Sequence, residues 1–153
     1  MKNNWLGWKS YLVPFFVYTI FCLTSCTQDI SNPPNELDTC EFPKDSISTS
    51  TTNNIDQQIL ERLYRLVISA SKSEICDNSA EWGIAGIGHK PCGGPAGYIP
   101  YNKKNEKCFS AILKFYNEQC QRYNIKNQLI SNCMVEPSPK FVQCKNGKPT
   151  LVY

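Results

Sequence analysis

The chain has 153 residues, with 16 Lys and Arg against 13 Asp and Glu and a formal net charge of +3. Lys2 and Lys9 lie in the first 25 residues, so the rest of the chain is nearly neutral. A nearly neutral chain lacks the basic surface that binds nucleic acid or anionic lipid, and both partner classes are excluded. The length beyond residue 25 suits one domain and is too short for two ordinary ones.

The N-terminal segment is typical of an export signal. Lys2 and Lys9 precede an apolar run over residues 11–23, which is shorter than the roughly 20 apolar residues that span a bilayer. The run ends in Leu23-Thr24-Ser25-Cys26, which resembles the lipobox of bacterial lipoproteins. That resemblance implies that residues 1–25 are removed as a signal peptide. Cys26 is then lipidated through its thiol and becomes the mature N-terminus.

The lipidated Cys26 gives the chain a membrane address. Stable membrane anchoring takes two signals, such as two acyl chains, and the acyl chains on a lipidated Cys26 exceed this requirement. The expected partner is therefore the membrane, through an N-terminal lipid anchor. An aspartate directly after the lipidated cysteine resembles an inner-membrane retention signal, and this chain has Thr27 there instead. The outer membrane is therefore favoured, and the membrane face on which the domain lies is left open. Two alternatives remain: a single transmembrane anchor, and a secretory signal that leaves Cys26 free or disulfide-bonded.

Cysteines are dense beyond the lipobox. In an exported chain of this size they predict a disulfide framework that supports a small core. An odd number allows at most three bridges and leaves one thiol over, and the spacing alone leaves the pairing open. No Cys-x-x-Cys occurs, so neither a thioredoxin-type motif nor a zinc knuckle is expected. The disulfide candidates are Cys40, Cys76, Cys92, Cys108, Cys120, Cys133 and Cys144.

Composition divides the mature chain into a tether and a domain. Residues 26–54 are rich in Ser, Thr, Asn and Pro, which predicts a lipidated N-terminus followed by a flexible tether. Cys40 and Phe42 interrupt the tether and offer a point at which it is stapled to the domain. Residues 55–153 then form a single disulfide-rich domain.

Two helices are predicted in the domain. Residues 55–70 carry apolar side chains at helical spacing, and Asn54 with Gln57 resembles a capping box. A second helix is expected over residues 105–124, where Cys108 and Cys120 lie about 18 Å apart and cannot bridge each other. Its apolar stripe consists of Phe109, Ile112, Leu113, Tyr116, Cys120 and Tyr123.

Strands are predicted on both sides of the second helix. Residues 82–87 form a glycine-rich candidate, and residues 129–135 form another. Residues 140–145 and 148–153 flank Asn146-Gly147, a strong hairpin signal because both turn positions need positive φ. The expected fold is α+β: two helices packed on a small antiparallel sheet with a C-terminal β-hairpin, stabilised by disulfides.

Six of the eight glycines fall between Gly83 and Gly97, around Cys92. Such density indicates a backbone with positive φ or one that is closely approached, and the cysteine pins its middle. One interpretation is a presented recognition loop, and the other is a structural crossover that packs past Trp82. The binding-loop candidates are His89, Lys90, Tyr98 and Tyr101.

The same segment shows no catalytic or cofactor chemistry. Its glycine order is wrong for a dinucleotide fingerprint, and no P-loop occurs. His89 and Cys92 have the spacing of half a metal site, but the chain has a single histidine. No catalytic residue, metal or cofactor is therefore predicted, and the chain is not expected to be an enzyme.

A resemblance covers residues 76–153. It is carried by Cys76-Asp77, Glu81-Trp82, the run from Gly88 to Pro95 with its Cys-Gly-Gly-Pro, Tyr98, Tyr101, Ile130 to Cys133, and Cys144 to Pro149. These segments resemble a set of small lipoproteins of Bacteroidetes-type bacteria that brings no catalytic residues with it. The resemblance implies that Cys76, Cys92, Cys133 and Cys144 form the core bridges, with the other three cysteines as additions.

These features favour an outer-membrane lipoprotein with a small binding or interaction domain and a possible protein partner. The alternative function is a proteinaceous inhibitor of a host or competitor hydrolase, either a protease or a lysozyme. In that alternative, Lys90 on a cysteine-anchored loop would enter an acidic specificity pocket.

Overall fold

The computed structural model describes residues 40–72 and 74–153. The lipobox and the lipidation site Cys26 lie outside these residues. In chain order the elements are helix α1 (Asn53–Ser71), strands β1 (Trp82–Ile87) and β2 (Gly97–Asn102), helix α2 (Glu106–Lys126), and strands β3 (Phe141–Lys145) and β4 (Lys148–Val152). The predicted α+β, disulfide-stabilised fold is confirmed, and its strands form two separate antiparallel pairs, β1–β2 and β3–β4.

Helix α1 starts earlier than its sequence pattern predicts. Thr52 is the N-cap, and its side-chain oxygen accepts a hydrogen bond from the Ile55 backbone N–H at 3.4 Å. Asn54 lies inside the helix and accepts from Gln58 Nε2 at 2.6 Å instead, so the predicted capping box at Asn54 is wrong. A threonine outside the apolar stripe satisfies the free N–H groups equally well.

The β1–β2 pair is the middle of three layers. Period-2 alternation sends Ala85 and Ile99 toward the helices, where they pack with Phe109. The opposite face of β1 carries Trp82, which packs with Val142 of the β3–β4 hairpin. Helices therefore cover one face of the first hairpin, and the second hairpin covers the other.

The turn between β3 and β4 follows the sequence prediction. Asn146 and Gly147 have φ of 51° and 72°. Positive φ at both positions gives the twist that a two-residue hairpin loop needs, and only glycine and a few polar residues adopt it readily. The predicted C-terminal hairpin is confirmed.

The predicted strand over residues 129–135 is wrong. These residues have no regular secondary structure. Gln128 and Cys133 take φ of 50° and 52°, which interrupts an extended backbone just before the apolar run and again within it. The sequence pattern also missed β2, because its Gly97, Pro100 and two tyrosines read as part of the glycine-rich loop.

The second half of the predicted tether is part of the folded domain. Ile47 is 2% exposed and packs with Ile59 and Leu63, and its N–H donates to Gln119 Oε1 at 2.8 Å. The fully buried Asp56 binds Lys126 Nζ at 2.6 Å, so the start of α1 is joined to the end of α2. Of the residues predicted as a tether, those from Cys40 onward therefore contact the domain, through Ile47, Phe42 and the Cys40–Cys108 disulfide.

Three disulfides connect these layers. Cys40 pairs with Cys108, Cys76 with Cys144 and Cys92 with Cys133, at Cα–Cα distances of 5.2, 5.3 and 5.4 Å. Cys120 remains a free thiol. The four cysteines named from the resemblance pair among themselves, and the three others provide one bridge and the unpaired thiol.

Candidate functional site

The loop over residues 88–96 is shaped by its own backbone. Gly88, Gly93 and Gly94 take positive φ of 74°, 96° and 78°. Lys90 N–H donates to the Gly94 carbonyl at 2.9 Å, and Gly93 N–H donates to the Lys90 carbonyl at 2.8 Å. A side chain at these glycines would strain the backbone, so the sequence folds here as a compact turn.

Helix α2 holds the start of this loop through two asparagines. Asn117 Oδ1 accepts from Gly88 N–H at 2.7 Å, and Asn117 Nδ2 donates to the Gly86 carbonyl at 3.1 Å. Asn124, two turns further along α2, donates to the His89 carbonyl at 2.6 Å. These amide side chains replace sheet hydrogen bonds where β1 ends, and they fix the loop on the helix.

A second loop, residues 127–140, is fastened to the first. The Cys92–Cys133 disulfide joins them covalently. Lys90 Nζ lies 2.7 Å from Glu136 Oε1 and donates to the Met134 carbonyl at 2.6 Å. Residues 88–96 and 127–140, called the paired loops below, therefore form one continuous surface.

The paired loops expose apolar side chains. Ile130 is 94% exposed, Val135 is 91% exposed and Met134 is 66% exposed. Isolated exposed apolar residues are common, but three such residues close together in the sequence of one covalently fastened loop favour a contact surface. Side chains as exposed as Ile130 and Val135 protrude and do not line a cavity.

The paired loops also contain unsatisfied polar atoms. Within the described residues, the buried side-chain atoms without a hydrogen-bond partner are His89 Nδ1 and Ser131 Oγ, one from each loop. Burying a polar atom without a hydrogen-bond partner costs roughly 1–3 kcal/mol. These two atoms therefore destabilise the arrangement in which the loops are paired.

The four binding residues predicted from the sequence do not share one surface. His89 is partly buried, and the Lys90 side chain is only 15% exposed because it is engaged by the second loop. Tyr98 lies on the β2 face away from the helices, with its hydroxyl 2.7 Å from Ser138 Oγ.

Tyr101 lies on the opposite face of β2 and belongs to the core. Its ring stacks on Phe109 with centroids 4.5 Å apart, and its hydroxyl donates to Glu106 Oε1 at 2.9 Å. Burial, followed by the hydrogen bond and charge of Glu106, raises the pKa of Tyr101. The prediction of Tyr101 as a loop anchor is wrong, because strand alternation turns it toward the helices.

The residues that sequence reasoning missed are Ile130, Met134 and Val135. Their apolar character was visible, but it was interpreted as one face of a strand. The disulfide of the neighbouring Cys133 joins this run to the first loop, a contact that the sequence pattern alone did not indicate.

Cys120 does not provide a reactive thiolate. Burial raises the pKa of its thiol, and this effect outweighs the hydrogen bonds from Tyr116 and from the His89 backbone. Burial, the charge of Cys120 and the hydrogen bond to it also raise the pKa of the Tyr116 hydroxyl. A thiol held protonated is a poor nucleophile and a poor metal ligand.

A groove of about 390 Å³ runs beside His89 along α2, with Lys114, Asn117 and Glu118 in its lining. Across the described ranges, no cluster of three or more His, Cys, Asp or Glu residues could hold a metal ion. In that same part of the chain, neither helix has the length and apolar character that crossing a membrane requires.

No protein-family model, curated protein or solved structure matches the chain.

Proposed function

We propose that this chain is an outer-membrane lipoprotein whose disulfide-stabilised domain binds a protein partner through the paired loops. The membrane part of the proposal rests on the sequence of residues 1–26, where Cys26 follows an apolar run and two small residues. The role is binding without catalysis.

The observation that supports the binding part is the exposure of Ile130 and Val135. Protruding apolar side chains suit the surface of another protein better than a small molecule, which needs a concave site. The disulfide and the Lys90–Glu136 ion pair hold the loops in one shape, so less conformational entropy is lost on binding.

Lys90 no longer supports the alternative function as a hydrolase inhibitor. Its ammonium group contacts Glu136 and the Met134 carbonyl, and its side chain is largely buried. Entry into an acidic pocket would require both contacts to break. The surface at Ile130 and Val135 therefore supports the general binding role over this inhibitor mechanism.

Lipidation is tested by mass spectrometry of the protein from bacterial envelopes. We expect the N-terminal peptide to begin at an acylated Cys26 and the Cys26→Ser variant to keep its first 25 residues. A matched Ser25→Ala variant retains a small residue before the cysteine and should be processed normally. An unmodified or disulfide-bonded Cys26 would overturn the membrane part of the proposal.

Binding is tested by photo-crosslinking in envelopes from a benzophenone amino acid at position 135, with position 57 on exposed α1 as the matched control site. We expect a discrete protein adduct from position 135 only. The Ile130→Ser change should weaken that adduct without unfolding the domain, because its side chain is 94% exposed. Adducts with lipid alone, or equal adducts from both sites, would contradict a protein partner at the paired loops.

A further inference from the structure

The Cys92–Cys133 disulfide differs from the other two bridges in its exposure. Both of its cysteines are exposed, whereas Cys76 is 2% exposed. The remaining bridged cysteines are partly buried: Cys40, Cys108 and Cys144. A disulfide is reduced when a thiolate reaches one of its sulfurs, so access alone makes Cys92–Cys133 the bridge that reacts first.

This bridge is also the main attachment of residues 127–140 to the rest of the domain. No residue of that range belongs to the three apolar clusters of the core. Its other links to the first loop and β2 include the two contacts of Lys90, the hydrogen bond between Tyr98 and Ser138, and a contact of Cys92 Sγ with the Ser131 carbonyl at 3.6 Å. At its two ends, the Leu129 and Lys140 N–H groups donate to the carbonyls of Asn124 in α2 and Val152 in β4. These contacts are few, and the segment has no regular secondary structure of its own, so we expect them to be too weak to keep the loops closed once the covalent link is lost.

Separation of the loops also relieves an unfavourable burial. His89 Nδ1 and Ser131 Oγ are buried without hydrogen-bond partners while the loops are paired, and we expect water to reach them when the loops part. The Cys40–Cys108 and Cys76–Cys144 bridges would continue to hold the helices and the second hairpin. The paired loops can therefore open while the core stays folded.

We infer that Cys92–Cys133 is a redox-sensitive switch, and that its reduction by a dithiol opens the paired loops and removes the contact surface at Ile130 and Val135. In the reaction, a thiolate of the reductant attacks one sulfur and the other sulfur leaves. The second thiol of the reductant then attacks the reductant sulfur of the resulting mixed disulfide, which closes the reductant's own disulfide and releases the remaining protein sulfur. Two electrons and two protons pass to Cys92 and Cys133, which become thiols. The consequence for binding rests on the proposed function, but selective reduction and loop opening do not.

The test uses the full chain purified from membranes in a non-ionic detergent. The protein is titrated with dithiothreitol, free thiols are alkylated, and each cysteine is quantified by peptide mass spectrometry. We expect Cys92 and Cys133 to be alkylated at least about tenfold faster than the four other bridged cysteines. Hydrogen exchange of residues 127–140 should accelerate at the same reductant concentration, with α1 and α2 unchanged.

The Cys92→Ser/Cys133→Ser variant should show this open-loop exchange without reductant, while the matched Cys40→Ser/Cys108→Ser variant should not. Equal reduction of all three bridges, or unchanged exchange in residues 127–140 after reduction, would overturn the switch. The crosslink from position 135 separates the two proposals. Its absence from the oxidised protein counts against the proposed function, and its persistence after selective reduction counts against the switch.

Discussion

The Cys40–Cys108 bridge should contribute more to stability than the Cys92–Cys133 bridge, and about as much as Cys76–Cys144, which spans the same number of residues. It joins the polar segment before α1 to the first turn of α2, across 68 residues. We consider the double change Cys40→Ser/Cys108→Ser, which removes the covalent link and leaves two small polar side chains.

The size of the effect follows from the loop that the bridge closes in the unfolded chain. The Cys76–Cys144 bridge draws the ends of this loop somewhat closer in the unfolded chain, but the entropy loss depends only on the logarithm of the loop length, so the reduction is small. A closed loop of this length destabilises the unfolded state by about 4 kcal/mol. The double variant should therefore lose about 4 kcal/mol of unfolding free energy.

The assay is urea unfolding without reductant, followed by tryptophan fluorescence. In protein that lacks residues 1–25, Trp82 is the only tryptophan, because the other two are Trp5 and Trp8. Trp82, the first residue of β1, is 5% exposed and packs against the second hairpin. Its fluorescence emission therefore changes when the core unfolds.

The comparison variant is Cys92→Ser/Cys133→Ser. Its bridge spans 41 residues and lies within the loop closed by the Cys76–Cys144 bridge, so it should cost less than the Cys40–Cys108 bridge. If the Cys40→Ser/Cys108→Ser variant loses under about 1 kcal/mol, or less than the comparison variant, the loop-closure reasoning is refuted.

Two other predictions concern single positions. Desolvation raises the pKa of Asp56, but the hydrogen bonds from Lys126 and Thr51 and the charge of Lys126 together outweigh it, so this pKa lies below its ordinary value of 3.8. Asp56→Asn should therefore cost about 3 kcal/mol at neutral pH, with the difference from wild type shrinking as the pH falls below about 4 in urea titrations. An equal difference at pH 7 and pH 2 would contradict this. Gly83→Ala should lower Tm and cost about 1–3 kcal/mol, because the new Cβ would lie 2.6 Å from the Tyr101 ring. Gly97→Ala, with no atom within 4 Å, should change stability by less than about 0.5 kcal/mol, and equal losses would refute the steric argument.

Much of the fold is visible in local patterns. The two helices, strand β1 and the C-terminal hairpin each follow from apolar spacing or from Asn146-Gly147, signals carried within a few residues. Strand β2 was missed because its register with β1 is decided by pairing across the glycine loop. The segment around Ile47 was missed because its burial depends on Gln119, which is distant in sequence.

The candidate site was less predictable than the fold. Lys90 lies in a segment whose composition predicts an exposed loop tip. In the structure its ammonium group instead contacts Glu136 and the Met134 carbonyl of the second loop. The apolar run containing Ile130 and Val135 suits a buried strand equally well. Its exposure follows from the tertiary structure, in which no residue of this run packs into the three apolar clusters of the core.

The sequence by itself determined the α+β class, the hairpin turn and the need for disulfides, because propensity, turn conformation and cysteine density act locally. The membrane address, which rests on the resemblance of residues 23–26 to a lipobox, stays a prediction. The tertiary structure alone decided that Tyr101 packs against the core, that Lys90 is held by Glu136, and that Ile130 and Val135 protrude. Those outcomes depend on contacts between segments far apart in the chain, and no local pattern encodes which distant partner a side chain will meet.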